Sequence, residues 1–307
     1  MKSRRIRRVA VLGSGLMGSS IACHFAGCGF EVLLLDLPTE GPDKNRLAAE
    51  SLEKCLKANP SNIYHKSFAQ RITPGNLVDD LRILTSCDWI IEVIVEKAEI
   101  KRELFEKIEG YRKPGTLITT NTSGIPVGSL TEGRSEDFKK HFCGTHFFNP
   151  PRYLPLLEII PSQDTSPEVI AFLMDFGKRF LGKETVLCND TPAFIANRIG
   201  VPAMSKIFEL AYELGLTISD ADKLTGPALG RPKSGTFRLT DVVGLDTAIL
   251  VTQGLKQNCP HDSFIQSLKQ PPFLDFLASN KWFGNKSGKG FFYKTTEKGA
   301  DGKPVIL

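Results

Sequence analysis

His146 lies in Thr145-His146-Phe147-Phe148-Asn149-Pro150, at the end of a short apolar run. Taken alone, an imidazole among aromatic rings reads as a satisfied core side chain. Glu158 changes that reading, because it sits inside Leu156-Leu157-Glu158-Ile159-Ile160, a run apolar enough to be a buried strand. A carboxylate removed from water costs several kcal/mol unless it is paired. If the two runs form an antiparallel hairpin about residues 149–155, His146 and Glu158 fall opposite each other. The acid then holds one imidazole nitrogen, fixes the tautomer and makes the ring a better base, while the other nitrogen faces a substrate. Histidine ordinarily titrates near ~6.5, which suits a group that must both take and return a proton.

A second constellation lies near the start of the chain. Gly13-Ser14-Gly15-Leu16-Met17-Gly18 is a GxGxxG pattern, weak as a bare match. Here it directly follows the short strand Val9-Ala10-Val11-Leu12 and opens a helix, which is the context a dinucleotide site requires. Gly13 permits the tight turn, Gly15 lets backbone approach a pyrophosphate, and Gly18 lets helix pack on strand. Leu16 and Met17 complete the turn, and the helix N-terminus offers unpaired N–H groups to phosphate. Asp36 ends the second strand, where a carboxylate accepts ribose hydroxyls and repels a 2′-phosphate. The residues that follow it, Leu37-Pro38-Thr39, carry no cation, so the cofactor expected is NAD rather than NADP. With a nicotinamide in reach, the His–Glu pair would accept the proton of a secondary alcohol as its hydride departs, and return it in reverse.

These residues need a frame. Residues 9–12, 16–26 and 31–36 read as strand, helix and strand, a βαβ unit that favours a parallel sheet. From 39 to 84 the pattern changes to a helical excursion, with helices at 45–58 and, more weakly, 65–71. Strands at 89–95 and 117–121 flank a helix at 100–110, and 143–148 and 156–160 are two further strands. Asp190-Thr191-Pro192 carries a helix start signal, cap residue then proline, and opens an apolar-periodic segment to about residue 214. A capping-box-like start at 219–222 and a helical reading of 239–276 follow. The fold class expected is α/β: a Rossmann-type dinucleotide-binding domain with a helical-pair insertion over 1–189, then an all-α domain over 190–294. Residues 295–307 read as a tail leading into a further C-terminal region of a longer polypeptide.

Composition narrows the classes further. At 307 residues, 41% hydrophobic and 24% charged, the chain has room for two ordinary globular domains. A net charge of +5 suits an anionic ligand such as a nucleotide or a coenzyme A ester, and is too small to indicate nucleic acid. The basic cluster Lys2, Arg4, Arg5, Arg7, Arg8 reads as a solvated lead-in to the first strand. Seven scattered cysteines, without CxxC or ligand-like pairing to the five histidines, read as reduced thiols in a cytoplasmic protein with no metal site. The apolar run after the basic N-terminus is broken at once by glycines, unlike a signal peptide. No stretch approaches the ~18 to 20 apolar residues that span a bilayer.

At these residues the chain resembles the L-3-hydroxyacyl-CoA dehydrogenases of fatty-acid β-oxidation. The likeness runs through GSGLMG at 13–18, IVEKAEIK at 94–101, NTSG at 121–124, HFFNP at 146–150, EIIP at 158–161 and DTPAFIANR at 190–198. It is strongest to the dehydrogenase portion of bacterial multifunctional proteins, which implies a covalently linked enoyl-CoA hydratase region. The resemblance implies an acyl-CoA substrate, NAD, a homodimer through the helical domain, and His146 with Glu158 as the catalytic dyad. It also implies that Ser123 hydrogen-bonds the substrate 3-oxygen and that Asn197 helps polarise the substrate carbonyls. Asn149 belongs to the substrate side, and Glu96, Lys101 and Asn121 to the cofactor side. Unaided, Ser123 reads as a loop or capping serine, Asn197 as a mid-helix anomaly, and Glu96 and Lys101 as a cap and a solvated helix charge. Ser51 fits the family's coenzyme A serine, but the lysine register falls on Ala58 beside Lys57 and is not assigned. Arg231 and Lys233 read as loop charges more than as phosphate contacts.

Besides the reading that the chain acts only as one module of a larger assembly, with weak activity in isolation, two others stay open. One is a dehydrogenase of a free hydroxy acid or polyol, against which the excursion at 39–84 argues, since a large thioester needs extra surface. The other is a dinucleotide-binding protein without turnover, which would not need Ser123, His146, Glu158 and Asn197 together.

Overall fold

The first strands are apolar throughout their interiors, with charged residues only at their ends, because both their faces are covered. In the computed structural model, which describes residues 4–298 and 304–306, β1 (Arg8–Leu12), β2 (Glu31–Asp36) and β4 (Trp89–Glu92) lie at the centre of one sheet. Side chains alternate between faces. Val9, Val11, Val32, Leu34, Trp89 and Ile91 pack against α1 (Leu16–Gly27) and α5 (Pro167–Leu181). Ala10, Leu12, Leu33, Leu35 and Ile90 pack against α3 (Ala98–Glu109) on the other side.

Among the described residues eight strands form this sheet, in the order β3-β2-β1-β4-β5-β6-β7-β8. The remaining members are β3 (Ile72–Asn76), β5 (Leu117–Thr120), β6 (Phe142–Phe147), β7 (Leu156–Pro161) and β8 (Glu184–Leu187). Pairing is parallel except between β6 and β7. The strand order reverses between β1 and β4, and ligands of open α/β sheets bind beyond the carboxyl ends of the strands at such a switch point.

The excursion is less helical than its sequence suggests. It contains α2 (Arg46–Leu56) and a 3-10 turn at Lys66–Arg71, but then returns to the sheet as the edge strand β3. Ile-Thr-Pro-Gly-Asn has no strand-like alternation. An edge position tolerates Pro74, whose missing N–H would have broken a central ladder.

A second correction concerns 190–195. Asp190 does not open a helix; its carboxylate accepts the N–H groups of Val127 and Gly128, both at 2.8 Å. Ala193 and Phe194 take positive φ, which no helix permits, and α6 (Ala196–Glu213) begins only after them. The contacts divide the chain between Phe194 and Ile195, a few residues beyond the 189–190 boundary read from the sequence.

The second unit is helical: α6, α7 (Ile218–Thr225), α8 (Phe237–Val243), α9 (Leu245–Asn258), α10 (Ser263–Ser267) and α11 (Pro272–Ser279). Phe208, Phe237, Leu245, Leu274 and Leu277 form its core. Asp222 accepts the N–H groups of Thr236, Phe237 and Arg238 at the start of α8. The cap of α7 is Thr217, two residues before the start read from the sequence. Beyond the helices, β9 (Lys294–Lys298) pairs antiparallel with β10 (Pro304–Ile306). Within the expected tail, 299–303 and Leu307 lie outside the described residues, as does Lys2 of the basic cluster.

Candidate active site

The glycine turn is built from contacts too close for side chains. Gly13 has φ of +103°, and a Cβ there would stand 2.6 Å from the Val93 carbonyl oxygen. A Cβ on Gly18 would stand 1.8 Å from the Gly13 oxygen, so helix α1 packs directly on the turn. Gly15 is different: a Cβ there would meet no atom of the chain within 4 Å. That glycine answers no internal crowding, and its bareness fits backbone approach by a ligand. The first turn of α1 carries no acidic side chain, leaving its N–H groups and positive dipole end for an anion. Leu16 there is exposed and Met17 packs partly into the core. At the end of β2, Asp36 accepts the N–H and hydroxyl of Ser14 at 2.5 and 2.6 Å and the Leu37 N–H at 2.7 Å. These residues fit a dinucleotide.

Four strands along the sheet from β2, β6 forms the antiparallel hairpin with β7, and His146 is paired directly with Glu158 in its register. Glu158 is 0% and His146 4% exposed. The two side chains meet with Nδ1 2.7 Å from Oε2. An ionised carboxylate only accepts, so opposite an ionised Glu158 the Nδ1 would be the donor and Nε2 would be left as the acceptor. Phe148 and Phe194 flank the ring edge-on, at 4.5 and 5.7 Å between centroids. Beside Glu158, the buried Cys188 thiol hydrogen-bonds the carboxylate, and burial with that neighbour pushes the thiol up to about 12. Asn149, at the head of the hairpin loop, is exposed.

Ser123 stands on the loop leaving β5. Its hydroxyl makes no hydrogen bond among the described residues, whereas its N–H donates to Glu96 at 2.8 Å. Glu96 also accepts the Gly124 N–H at 3.2 Å and the Thr122 hydroxyl at 2.5 Å. Asn121 is strapped between strands: its N–H donates to the Glu92 carbonyl at 2.9 Å and its Oδ1 accepts the Phe147 N–H at 2.9 Å. Lys101 is no solvated helix charge. It is 1% exposed, with Nζ 2.6 Å from Glu92 and 3.3 Å from Glu96. Burial pushes the Glu92 carboxyl above its ordinary range, against the pull of the Lys101 ammonium.

The residues singled out from the sequence therefore divide. Gly13, Gly15, Asp36, Glu96, Asn121, Ser123 and His146 lie toward the carboxyl ends of strands in the first unit or on the loops that leave them, Gly18 and Lys101 lie in the first turns of α1 and α3, and Glu158 lies on the antiparallel β7 opposite His146. Asn197 belongs to the second unit. It is half-buried in the first turn of α6, not in mid-helix, next to Arg198, whose guanidinium pairs with Asp262 at 2.5 Å. Sequence reading passed over Glu92, Cys188 and Asp190. Glu92 had a signal as a lone carboxylate inside the apolar run 89–95, Cys188 as the end of Val186-Leu187-Cys188, and Asp190 was noticed only as a helix cap. Among the described residues no group of three or more His, Cys, Asp or Glu could hold a metal ion.

A doubly wound sheet with a bare glycine turn and a buried imidazole–carboxylate pair has the features expected of an NAD-dependent oxidoreductase. The comparisons make the class specific. The profile described as "3-hydroxyacyl-CoA dehydrogenase, NAD binding domain" matches residues 8–191, and that of the "C-terminal domain" of the same enzymes matches 194–294. The chain belongs to the 3-hydroxyacyl-CoA dehydrogenase family. It is 43% identical to a probable 3-hydroxyacyl-CoA dehydrogenase of Bacillus subtilis, over 99% of this chain but 40% of that protein. It is also 43% identical to a probable 3-hydroxyacyl-CoA dehydrogenase of Deinococcus radiodurans, over 96% of this chain and 85% of the relative. Among solved structures, Mycobacterium tuberculosis FadB2 superposes with a TM-score of 0.79 at 29% identity, covering 94% of this chain and 99% of that one.

Proposed function

We propose that the chain oxidises (S)-3-hydroxyacyl-CoA to 3-oxoacyl-CoA in fatty-acid β-oxidation, with His146 as the proton-transfer group. NAD, when bound, supplies the hydride acceptor. His146 takes the hydroxyl proton at Nε2, and Glu158 orients the ring and stabilises the imidazolium that forms. Ser123 hydrogen-bonds the 3-oxygen, Asn197 polarises the carbonyls, and Asn149 lines the substrate side. Asp36 holds the adenosine ribose and disfavours a 2′-phosphate. The observation that carries the reading is the 2.7 Å contact between His146 Nδ1 and Glu158 in a directly paired register. Burying that pair in a sheet has a cost that a purely structural site would avoid with apolar residues.

The acyl-CoA substrate follows from the family. A homodimer through the helical unit is supported by exposed Leu214, Leu224, Leu229 and Leu250. A covalently linked hydratase region is supported by a Rickettsia felis relative described as a "putative fatty acid oxidation complex trifunctional enzyme", of which this chain spans 42%. A cytoplasmic location is supported by seven cysteines that are all free. No helix among the described residues is long and apolar enough to cross a membrane.

The test is turnover of acetoacetyl-CoA with NADH, followed by loss of NADH absorbance, with NADPH in parallel. The expected result is consumption of NADH and little of NADPH. NADH that binds without turnover overturns the enzyme reading, and equal use of NADPH overturns the role of Asp36.

A further inference from the structure

We infer that Glu92 is a positioning residue for this reaction, holding the Ser123 loop in place through Lys101 and Glu96. The inference rests on the dehydrogenase reading above. Glu92 ends β4, paired in register with Leu12 on one side and Thr120 on the other. Those are the last residues before the glycine turn and before the Ser123 loop. It is 0% exposed, and because replacing a buried ion pair by apolar side chains is often neutral or stabilising, stability alone is a weak reason for a carboxylate here.

Its partners reach both loops. Oε2 accepts the Thr120 hydroxyl at 2.5 Å, and its own carbonyl accepts the Asn121 N–H at 2.9 Å, which fixes the exit of β5. Oε1 accepts the Ile94 N–H at 2.7 Å, directly after Val93, whose carbonyl lies under Gly13. Oε1 also takes the Lys101 ammonium at 2.6 Å, leaving Glu96 at 3.3 Å from the same nitrogen. Glu96 is thereby free to give one oxygen to the Thr122 hydroxyl and to the N–H groups of Ser123 and Gly124. Take the charge from Glu92, and Lys101 closes on Glu96, the one carboxylate left beside it. The oxygen that gathers the three loop donors is drawn inward, and the Ser123 hydroxyl moves with its backbone.

The experiment compares the full chain with Glu92→Gln, Glu96→Ala, the double variant and Thr120→Val. It reads kcat and KM for acetoacetyl-CoA at saturating NADH, and hydrogen exchange at the Ser123 and Gly124 amides. Glu92→Gln is expected to lower kcat about tenfold or more, as a displaced reacting contact does, and to speed exchange at those two amides. In the Glu96→Ala background, where the route is already cut, it should change kcat less than about twofold. Additive losses, or exchange that rises throughout the sheet while the loop follows along, make Glu92 a stability residue and overturn the inference. If Glu92→Gln does not fold, Thr120→Val carries the test, with a fall of about threefold in kcat and the same local exchange; no change in either overturns it. A wild-type chain without turnover sinks the dehydrogenase reading, while exchange at Ser123 and Gly124 still decides whether Glu92 holds the loop.

Discussion

Replacing Glu158 with Gln removes one charge from the dyad and almost nothing of its shape. On the proposed mechanism, oxidation of the alcohol makes His146 an imidazolium while its Nδ1 is 2.7 Å from the carboxylate. That contact puts the charge centres roughly 4 Å apart, and two unit charges at that distance interact by about 4 kcal/mol at an effective dielectric of ~20. An amide oxygen in the same place still accepts the Nδ1–H bond, which restores about 1 to 2 kcal/mol. The barrier therefore rises by about 2 to 3 kcal/mol, and kcat falls by about 30- to 160-fold. The assay is appearance of NADH from (S)-3-hydroxybutyryl-CoA and NAD, with NADH affinity measured separately by fluorescence. A Gln variant within about threefold of wild-type kcat would refute the reasoning, because a carboxylate that stabilises a developing imidazolium cannot be neutralised without effect.

Further outcomes follow from the glycine turn and from a buried lysine. Gly15→Ala should fold with an unchanged Tm yet bind NADH at least about tenfold more weakly, because its Cβ meets only the space a pyrophosphate needs. Gly18→Ala should lose both, since its Cβ would lie 1.8 Å from a backbone oxygen. A Gly15 variant that binds NADH normally contradicts the assignment of the turn. Lys183 is buried with Nζ on the Pro151 and Leu154 carbonyls, and burial pulls its ammonium down to about 8 from an ordinary 10.5. Between those values the folded chain binds fewer protons than the unfolded one, so this group adds stability as pH rises. Relative to Lys183→Met, the wild type should gain about 2 kcal/mol from about pH 7 to about pH 9.5, read from urea unfolding at the two pH values. A constant difference between the two proteins contradicts it.

Much of the first unit was legible because its chemistry requires local patterns. The glycine turn must follow a strand and open a helix, and Gly13 and Gly18 stand where a Cβ would strike backbone, while Gly15 faces open space. The His146–Glu158 pair was legible because an apolar run around a carboxylate forces a partner, and a hairpin about 149–155 supplies one. What was not legible depends on contacts distant in sequence. Residues 72–76 gave no sign of being a strand, since Pro74 and Gly75 are tolerable only because the position is an edge. Asp190 carries a helix-cap signature but spends its carboxylate on N–H groups more than sixty residues earlier. Lys101 looked like a surface charge on an amphipathic helix, and only the sheet ending beneath it, with Glu92 at its tip, makes it buried.

The central claim is that Nε2 of one imidazole moves the proton, and His146→Gln tests it most directly. Glutamine can still accept a hydrogen bond but cannot carry a proton at neutral pH. The account predicts a fall in kcat of about a hundredfold or more with NADH affinity within about twofold of wild type. Equal losses of NADH binding and turnover would instead make His146 a packing residue between Phe148 and Phe194, and the proton would have to move elsewhere.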